Sequence, residues 1–443
     1  MTENDTSSFE RQLATLMRRE VGGISPARIE QRVHRAVAHR RRIRTLRTST
    51  VAACLLLVTG GLFAAEGLRG GPARHHPGFA TTTVPPTTAV HLAGPLSRMR
   101  GLVQVMGVAF PSSSDGVVLL QQCWPCQATT GTYTNWVAVT SDGGSSWQVH
   151  KTDMPVRGKT RLSFTNAADG WADNGWYTHD GGLTWHKAAV PAGALIDSVS
   201  VAGGTVWAES AGCSAANCAS GVFIGPATGS SLTPVADQVL GTGYAPGTIF
   251  AVSASTAYLD AEGPHGNEIV ATDDGGRSWR TVASPCPAGD YASRFMAVAP
   301  SALWQFCQKG ITITTPTGTA VKGVPGGRAI LARSGDGGRH WTSAPVSTRL
   351  VGELEPWSLT TSWVWTLQLA RTTDGGGSWT TVWSAPPPGK GETVTPEAFS
   401  SESASVAEIP LVVASKEGSY VIVERTTDAG ASWHPTTISL PDT

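Results

Sequence analysis

Three sets of residues in this 443-residue chain have types and spacings suited to chemistry. The first is six aspartates, Asp142, Asp180, Asp274, Asp336, Asp374 and Asp428. Each stands two residues after a Ser or Thr and five before a tryptophan, at Trp147, Trp185, Trp279, Trp341, Trp379 and Trp433. A carboxylate can serve as an acid or base, or it can fold back onto nearby backbone N–H groups. Six copies in one frame favour the second role. The next set is Cys123-Trp-Pro-Cys126, with the spacing of a dithiol redox pair. Such a pair needs a helix N-terminus to lower its thiol pKa. Here the flanking sequence is strand-like, so a structural disulfide is the preferred reading. The last set is Arg161, Arg294 and Arg349, since guanidinium forks match carboxylates bidentately. There is no Gly-rich phosphate loop, His-Glu-x-x-His or Gly-x-Ser-x-Gly. No cofactor or metal site is indicated, and His75-His76 sit in a tether-like stretch poorly suited to ligation.

The aspartates belong to a repeat. Its copies are Thr140-Ser-Asp-Gly-Gly-Ser-Ser-Trp147, Thr178-His-Asp-Gly-Gly-Leu-Thr-Trp185, Thr272-Asp-Asp-Gly-Gly-Arg-Ser-Trp279, Ser334-Gly-Asp-Gly-Gly-Arg-His-Trp341, Thr372-Thr-Asp-Gly-Gly-Gly-Ser-Trp379 and Thr426-Thr-Asp-Ala-Gly-Ala-Ser-Trp433. Each follows a short apolar run and precedes a polar–apolar alternation, so each reads as a hairpin turn. Asp organises the turn, Gly takes positive φ, and Trp opens the next strand with a large face to bury.

This frame resembles the Asp-box, or BNR repeat, of sialidases, sortilin-type receptors and photosystem II assembly factors. The resemblance covers roughly residues 100–443. It implies an all-β, seven-bladed β-propeller in which the box joins the third and fourth strands of a blade. The spacing from Trp185 to Trp279 is twice a normal blade. Inside it, Gly225-Pro-Ala-Thr-Gly-Ser-Ser-Leu232 reads as a decayed seventh copy, with Ala227 and Leu232 in place of Asp and Trp. The blades are then expected at about 101–150, 160–188, 195–236, 247–283, 294–345, 352–384 and 395–439. On this plan Cys123 with Cys126, and Cys213 with Cys218, lie between second and third strands. Cys286 and Cys307 emerge on one face from neighbouring blades and can pair. Six cysteines outside the apolar span suit an oxidising compartment.

The same plan puts Arg161, Arg294 and Arg349 near the starts of first strands, facing a central channel. Sialidases clamp a carboxylate with three such arginines and use a Tyr–Glu nucleophile pair. The chain lacks their Phe-Arg-Ile-Pro signature, and blade one opens Gly101-Leu-Val-Gln-Val-Met-Gly-Val with no arginine. Tyr420 falls in the late blade, within a segment read as strand.

The N-terminal quarter is different. Residues 1–47 read as a cytoplasmic helical segment, with Ser25-Pro26 starting its second helix and Arg40, Arg41, Arg42, Arg44 and Arg47 closing it. Residues 48–66 read as one transmembrane helix, with an uncharged run over 49–65 that just reaches spanning length. Residues 67–99 are a Pro/Thr-rich linker. Arginines before the span and few after it place the N-terminus inside. Residues 1–68 carry a charge balance of +5 and the remainder −5. A mildly acidic body argues against nucleic-acid binding.

The expectation is therefore a single-pass, N-in membrane protein whose propeller, residues 100–443, lies outside the cytoplasm. Its first functional reading is a binding or assembly module for an envelope protein or cell-wall glycan, with Trp124 as an aromatic anchor. The alternative is an exo-glycosidase of sialidase type.

Overall fold

A computed structural model describes residues 100–440, apart from 127–130, 157, 192–193, 215–216, 237–246, 264–265, 288–290, 316–317, 324–328, 347–351 and 367. The chain divides into two units, Met1–Pro77 and Gly78–Thr443. All described residues belong to the second unit, so the helical segment, the membrane span and the linker read from sequence lie outside them. Among the described residues no helix is long and apolar enough to cross a membrane.

The described residues of the second unit form an all-β, seven-bladed propeller. Seven antiparallel sheets follow one another along the chain, spanning 102–151, 162–187, 196–236, 248–282, 291–346, 353–384 and 393–438. We number them blades 1 to 7. Each is a meander of four strands, with one extra strand in blades 5 and 7. These limits fall within a few residues of those expected from the repeats. Blade 5 differs most. Its second strand does not end at Cys307 but runs on to Thr315 and folds back through Gly318–Gly323.

Middle strands are buried on both faces, because each blade is sandwiched between two others. Val117, Val118, Leu119 and Leu120 are all buried, as is every residue from Ala407 to Val413. A continuous apolar run, rather than strict alternation, is the sequence form of such a strand. Outer strands are wet, as at Thr342–Val346. First strands of neighbouring blades touch one another, which sets them around the axis.

The core consists of seven seams between blades. Each box tryptophan packs into the seam with the preceding blade. Trp147 joins the seam between blades 7 and 1, Trp185 that of 1 and 2, and Trp279 that of 3 and 4. Trp341, Trp379 and Trp433 do the same for 4 and 5, 5 and 6, and 6 and 7. In the seam of blades 2 and 3 the place is held by Leu232, which is buried. The tryptophans thus occupy equivalent places around one axis, and the decayed copy is a true seventh position.

A second set of residues staples the seams. The second-strand residues Trp207, Trp304 and Trp363 are fully buried. Their indoles donate to Ser253 O, Ser358 O and Ser403 O in the next blade, at 3.3, 2.9 and 3.2 Å. Tyr258 Oη reaches Pro300 O at 2.7 Å in the same way. Buried indoles and phenols need such partners. The Cys286–Cys307 disulfide ties blade 4 to blade 5.

Candidate functional site

The box aspartates are structural. Asp142 Oδ1 accepts from Thr140 Oγ1 at 2.8 Å and from Ser146 N at 2.9 Å, while Oδ2 accepts from Ser146 Oγ at 2.6 Å. The same three bonds recur at Asp180, Asp274, Asp374 and Asp428. At Asp336 the imidazole of His340 replaces the hydroxyl. The Ser146 hydroxyl and amide, with Thr140, hold Asp142 down at about 2. Each box needs two successive residues with φ near +70 to +90°, and Ala429 takes the first of these at 63° in the last copy. A carboxylate engaged on both oxygens by its own turn is not available as an acid.

The opposite face collects the connections from second to third strands and from each blade to the next. Here the first strands bring charges from distant blades to the channel. Arg161 opens blade 2. Its backbone N–H donates to Asp173 Oδ2 at 3.0 Å, and its guanidinium lies 5.3 Å from the ring centre of Phe250 in blade 4. Asp173 Oδ1 accepts from Val199 N of blade 3 at 3.0 Å. Burial pushes Asp173 up, and the Arg161 charge opposes this.

Glu353 and Glu355 stand two residues apart on the first strand of blade 6, so both side chains leave the same side of the strand. Leu354, between them, is buried in the seam with blade 5. Burial among the channel walls pushes Glu353 up, while Arg161, Arg294 and Lys159 pull it back. By surface area Glu353 is nonetheless exposed. Glu355 is half-buried and is pushed up to about 7, by burial first and then by the neighbouring Glu353 charge. These charges belong to blades 2, 5 and 6, and to the segment between blades 1 and 2. Only the axis brings such blades within electrostatic reach of one another.

Lys159 is tied down. Its Nζ donates to Val105 O at 2.6 Å in blade 1, and to Glu397 O and Oε2 at 2.7 and 2.8 Å in blade 7. By contrast, none of Arg161, Arg294, Glu353 and Glu355 is in an ion pair among the described residues. Two guanidinium groups therefore face two carboxylates without touching them.

The sequence candidates fare as follows. Arg161 and Arg294 reach the channel together, whereas Arg349 lies outside the described residues. Trp124 is 52% exposed on blade 1, where a Cβ placed on Gly101 would come 3.2 Å from its Cε3. Leu102 and Tyr133 flank Cys123 in the strand register, and both are exposed. Cys123 is disulfide-bonded, and the register sets Cys213 opposite Cys218. Tyr420 is buried in the seam of blades 6 and 7. The carboxylates Glu353 and Glu355 carry more of the site than the arginine pattern suggested. Their alternation Glu-Leu-Glu on a first strand was the available signal.

A second concavity, of about 450 Å³, opens on the box face between blades 2 and 3. Phe164, Asn166, Gly203, Ala227 and Thr228 line it, at the decayed copy.

Compared with known proteins, the chain matches the BNR/Asp-box repeat model over residues 176–187. No curated protein matches it. Among solved structures it is similar to YCF48 bound to a D1 peptide, with 13% identity, TM-score 0.46, and 79% of this chain and 97% of that chain covered. It is also similar to a PL25 ulvan lyase, with 10% identity, TM-score 0.46, and 73% and 95% covered. A Hadza microbial sialidase gives 11% identity, TM-score 0.38, and 76% and 66% covered. From its own repeats and seams, the chain is a seven-bladed β-propeller built on BNR/Asp-box repeats.

Proposed function

We propose that the propeller is a binding module that takes a protein or glycan ligand at the channel mouth. The carrying observation is the set Arg161, Arg294, Glu353 and Glu355, which face one another across the channel with no ion pair among them. Charges held apart in a crowded site leave room for a ligand that presents both an acidic and a donor group. Trp124, Tyr133 and Leu102 add exposed apolar surface on the same face. The basic, then apolar, then Pro/Thr-rich N-terminal sequence supports display outside the cell on a membrane anchor.

A second reading, an exo-glycosidase of sialidase type, is favoured by one feature. Glu355 is pushed up to about 7 beside Glu353, itself raised, and a carboxyl titrating near neutrality suits general acid catalysis. Against it, Tyr420 is buried in a seam and offers no nucleophile to the channel.

The test is capture of a partner from envelope extract by the full chain, set beside the charge reversals Arg161→Glu and Arg294→Glu. A partner retained by wild type and lost in both variants supports the first reading. Retention by both variants removes the channel from it. A fluorogenic sialoside assay, with Glu355→Gln as control, decides the second.

A further inference from the structure

Blade 7 closes the ring, and it breaks a pattern kept by blades 5 and 6. In those blades a second-strand tryptophan lies opposite a third-strand arginine, Trp304 opposite Arg333 and Trp363 opposite Arg371. The guanidinium carbons sit 5.6 and 5.5 Å from the ring centres. Each arginine then donates to the next blade, Arg333 Nη1 to Leu359 O at 2.9 Å and Arg371 Nε to Ala404 O at 3.1 Å. Blade 7 keeps the arginine, and Arg425 Nη1 donates to Ser113 O and Gly143 O of blade 1 at 2.7 and 3.0 Å. Its cross-strand partner, however, is Glu408.

Glu408 is fully buried, with Oε1 3.2 Å from Arg425 Nε. Arg425 Nη2 also meets Glu402 Oε2 at 3.2 Å. One cation thus serves two carboxylates, and Glu402 is the more exposed of the two. The other charged groups near this seam are accounted for. Asp115 and Asp142 of blade 1 are held by Ser112, Ser114, Thr140 and Ser146. His434, the neighbour of Arg425 on the last strand, is exposed.

The other face of blade 7 carries a second buried acid. Glu424 takes the Trp383 indole N–H from blade 6 on Oε2. Its other oxygen has no hydrogen-bond partner. The surrounding seam is aromatic, with Trp363, Trp365 and Phe399, and Arg371 is the cation on that side.

We propose that blade 7 is a proton-dependent clasp, tight when Glu408 and Glu424 are protonated and loosened when they ionise against their burial. Burial raises both carboxyls, Glu408 to about 8 despite Arg425. A carboxyl raised in the folded chain binds its proton more readily there than in the unfolded chain. Stability is therefore greatest below the ordinary carboxyl range and falls as pH rises toward the folded value. The ring would open at its ends as the surroundings become alkaline.

The experiment is hydrogen exchange on the full chain at pH 6 and pH 9, corrected for intrinsic exchange. Ala407–Ser415 and Gly418–Thr426 of blade 7 are compared with Leu303–Gln308 and Ala329–Ser334 of blade 5. Opening of blade 7 is expected to rise by up to about tenfold per pH unit through Glu408 until about pH 8, with Glu424 adding in the same direction and blade 5 lagging. The double variant Glu408→Gln, Glu424→Gln should lose most of that pH dependence. Equal loosening of both blades in wild type, or an undiminished response in the double variant, overturns the proposal. If the variant fails to fold, the wild-type comparison between blades decides alone.

Discussion

The Arg161 guanidinium of blade 2 lies 5.3 Å from the ring centre of Phe250, two blades away. That relationship puts a cation within the channel, where it pulls on Glu353 and Glu355 of blade 6. Replacing Arg161 with Gln is expected to raise both carboxyls further, because their main counter-charge goes. Isotope-edited infrared titration of the carboxyl bands checks this. Unchanged titration in the variant would place the arginine elsewhere in solution.

Glu355 also makes a pH prediction. It is raised, so it opposes folding increasingly as pH climbs from the unfolded carboxyl range to about 7, and no further above that. The variant Glu355→Gln should show a shallower fall in denaturation midpoint between pH 5 and pH 8 than wild type. Parallel curves would count against the raised state.

The box aspartates behave in the opposite sense. Asp274 is held at about 2, chiefly by the Ser278 hydroxyl and amide. Its stabilisation is complete above the unfolded value near 4 and is lost as pH falls through about 2. Asp274→Asn should melt below wild type at pH 7, with the difference shrinking by pH 2. Thermal scans across that range read it directly.

The decayed copy should resist repair. Ala227 and Leu232 are buried, and Ala227 O accepts the Trp171 indole at 2.8 Å. Leu232→Trp inserts bulk into a filled seam and is expected to cost about 1–3 kcal/mol. Trp304→Ala, which opens a cavity, should cost about 3–5 kcal/mol. Denaturant unfolding of the two variants gives both values, and a stabilised Leu232→Trp would contradict this reading of the seam.

The membrane expectation is tested separately. With Glu10→Cys and Thr87→Cys in intact cells, an impermeant thiol reagent should label only the second. The reverse pattern rejects the N-in orientation.

What the sequence alone determined is what the repeat writes locally. The side-chain bonds of an Asp-box turn all come from its own Thr, Asp and Ser within eight residues, so Thr140 to Trp147 carries most of what its geometry needs. The periodic return of that turn gave the blade count and limits, and even identified Leu232 as a stand-in for tryptophan. Position in the blade also brought Cys286 near Cys307. What only the tertiary structure decided is how charged and polar side chains meet between blades. Glu408 looks like an ordinary strand carboxylate until Arg425 is set opposite it and blade 1 covers both. Arg333 and Arg371 look like surface charges until the next blade supplies their carbonyls. Glu353 and Glu355 become a site only when Arg161 reaches them across the axis. The reason is physical. Burial and long-range charge, which set these roles, depend on chain segments tens to hundreds of residues apart, and no local pattern encodes which of them will meet.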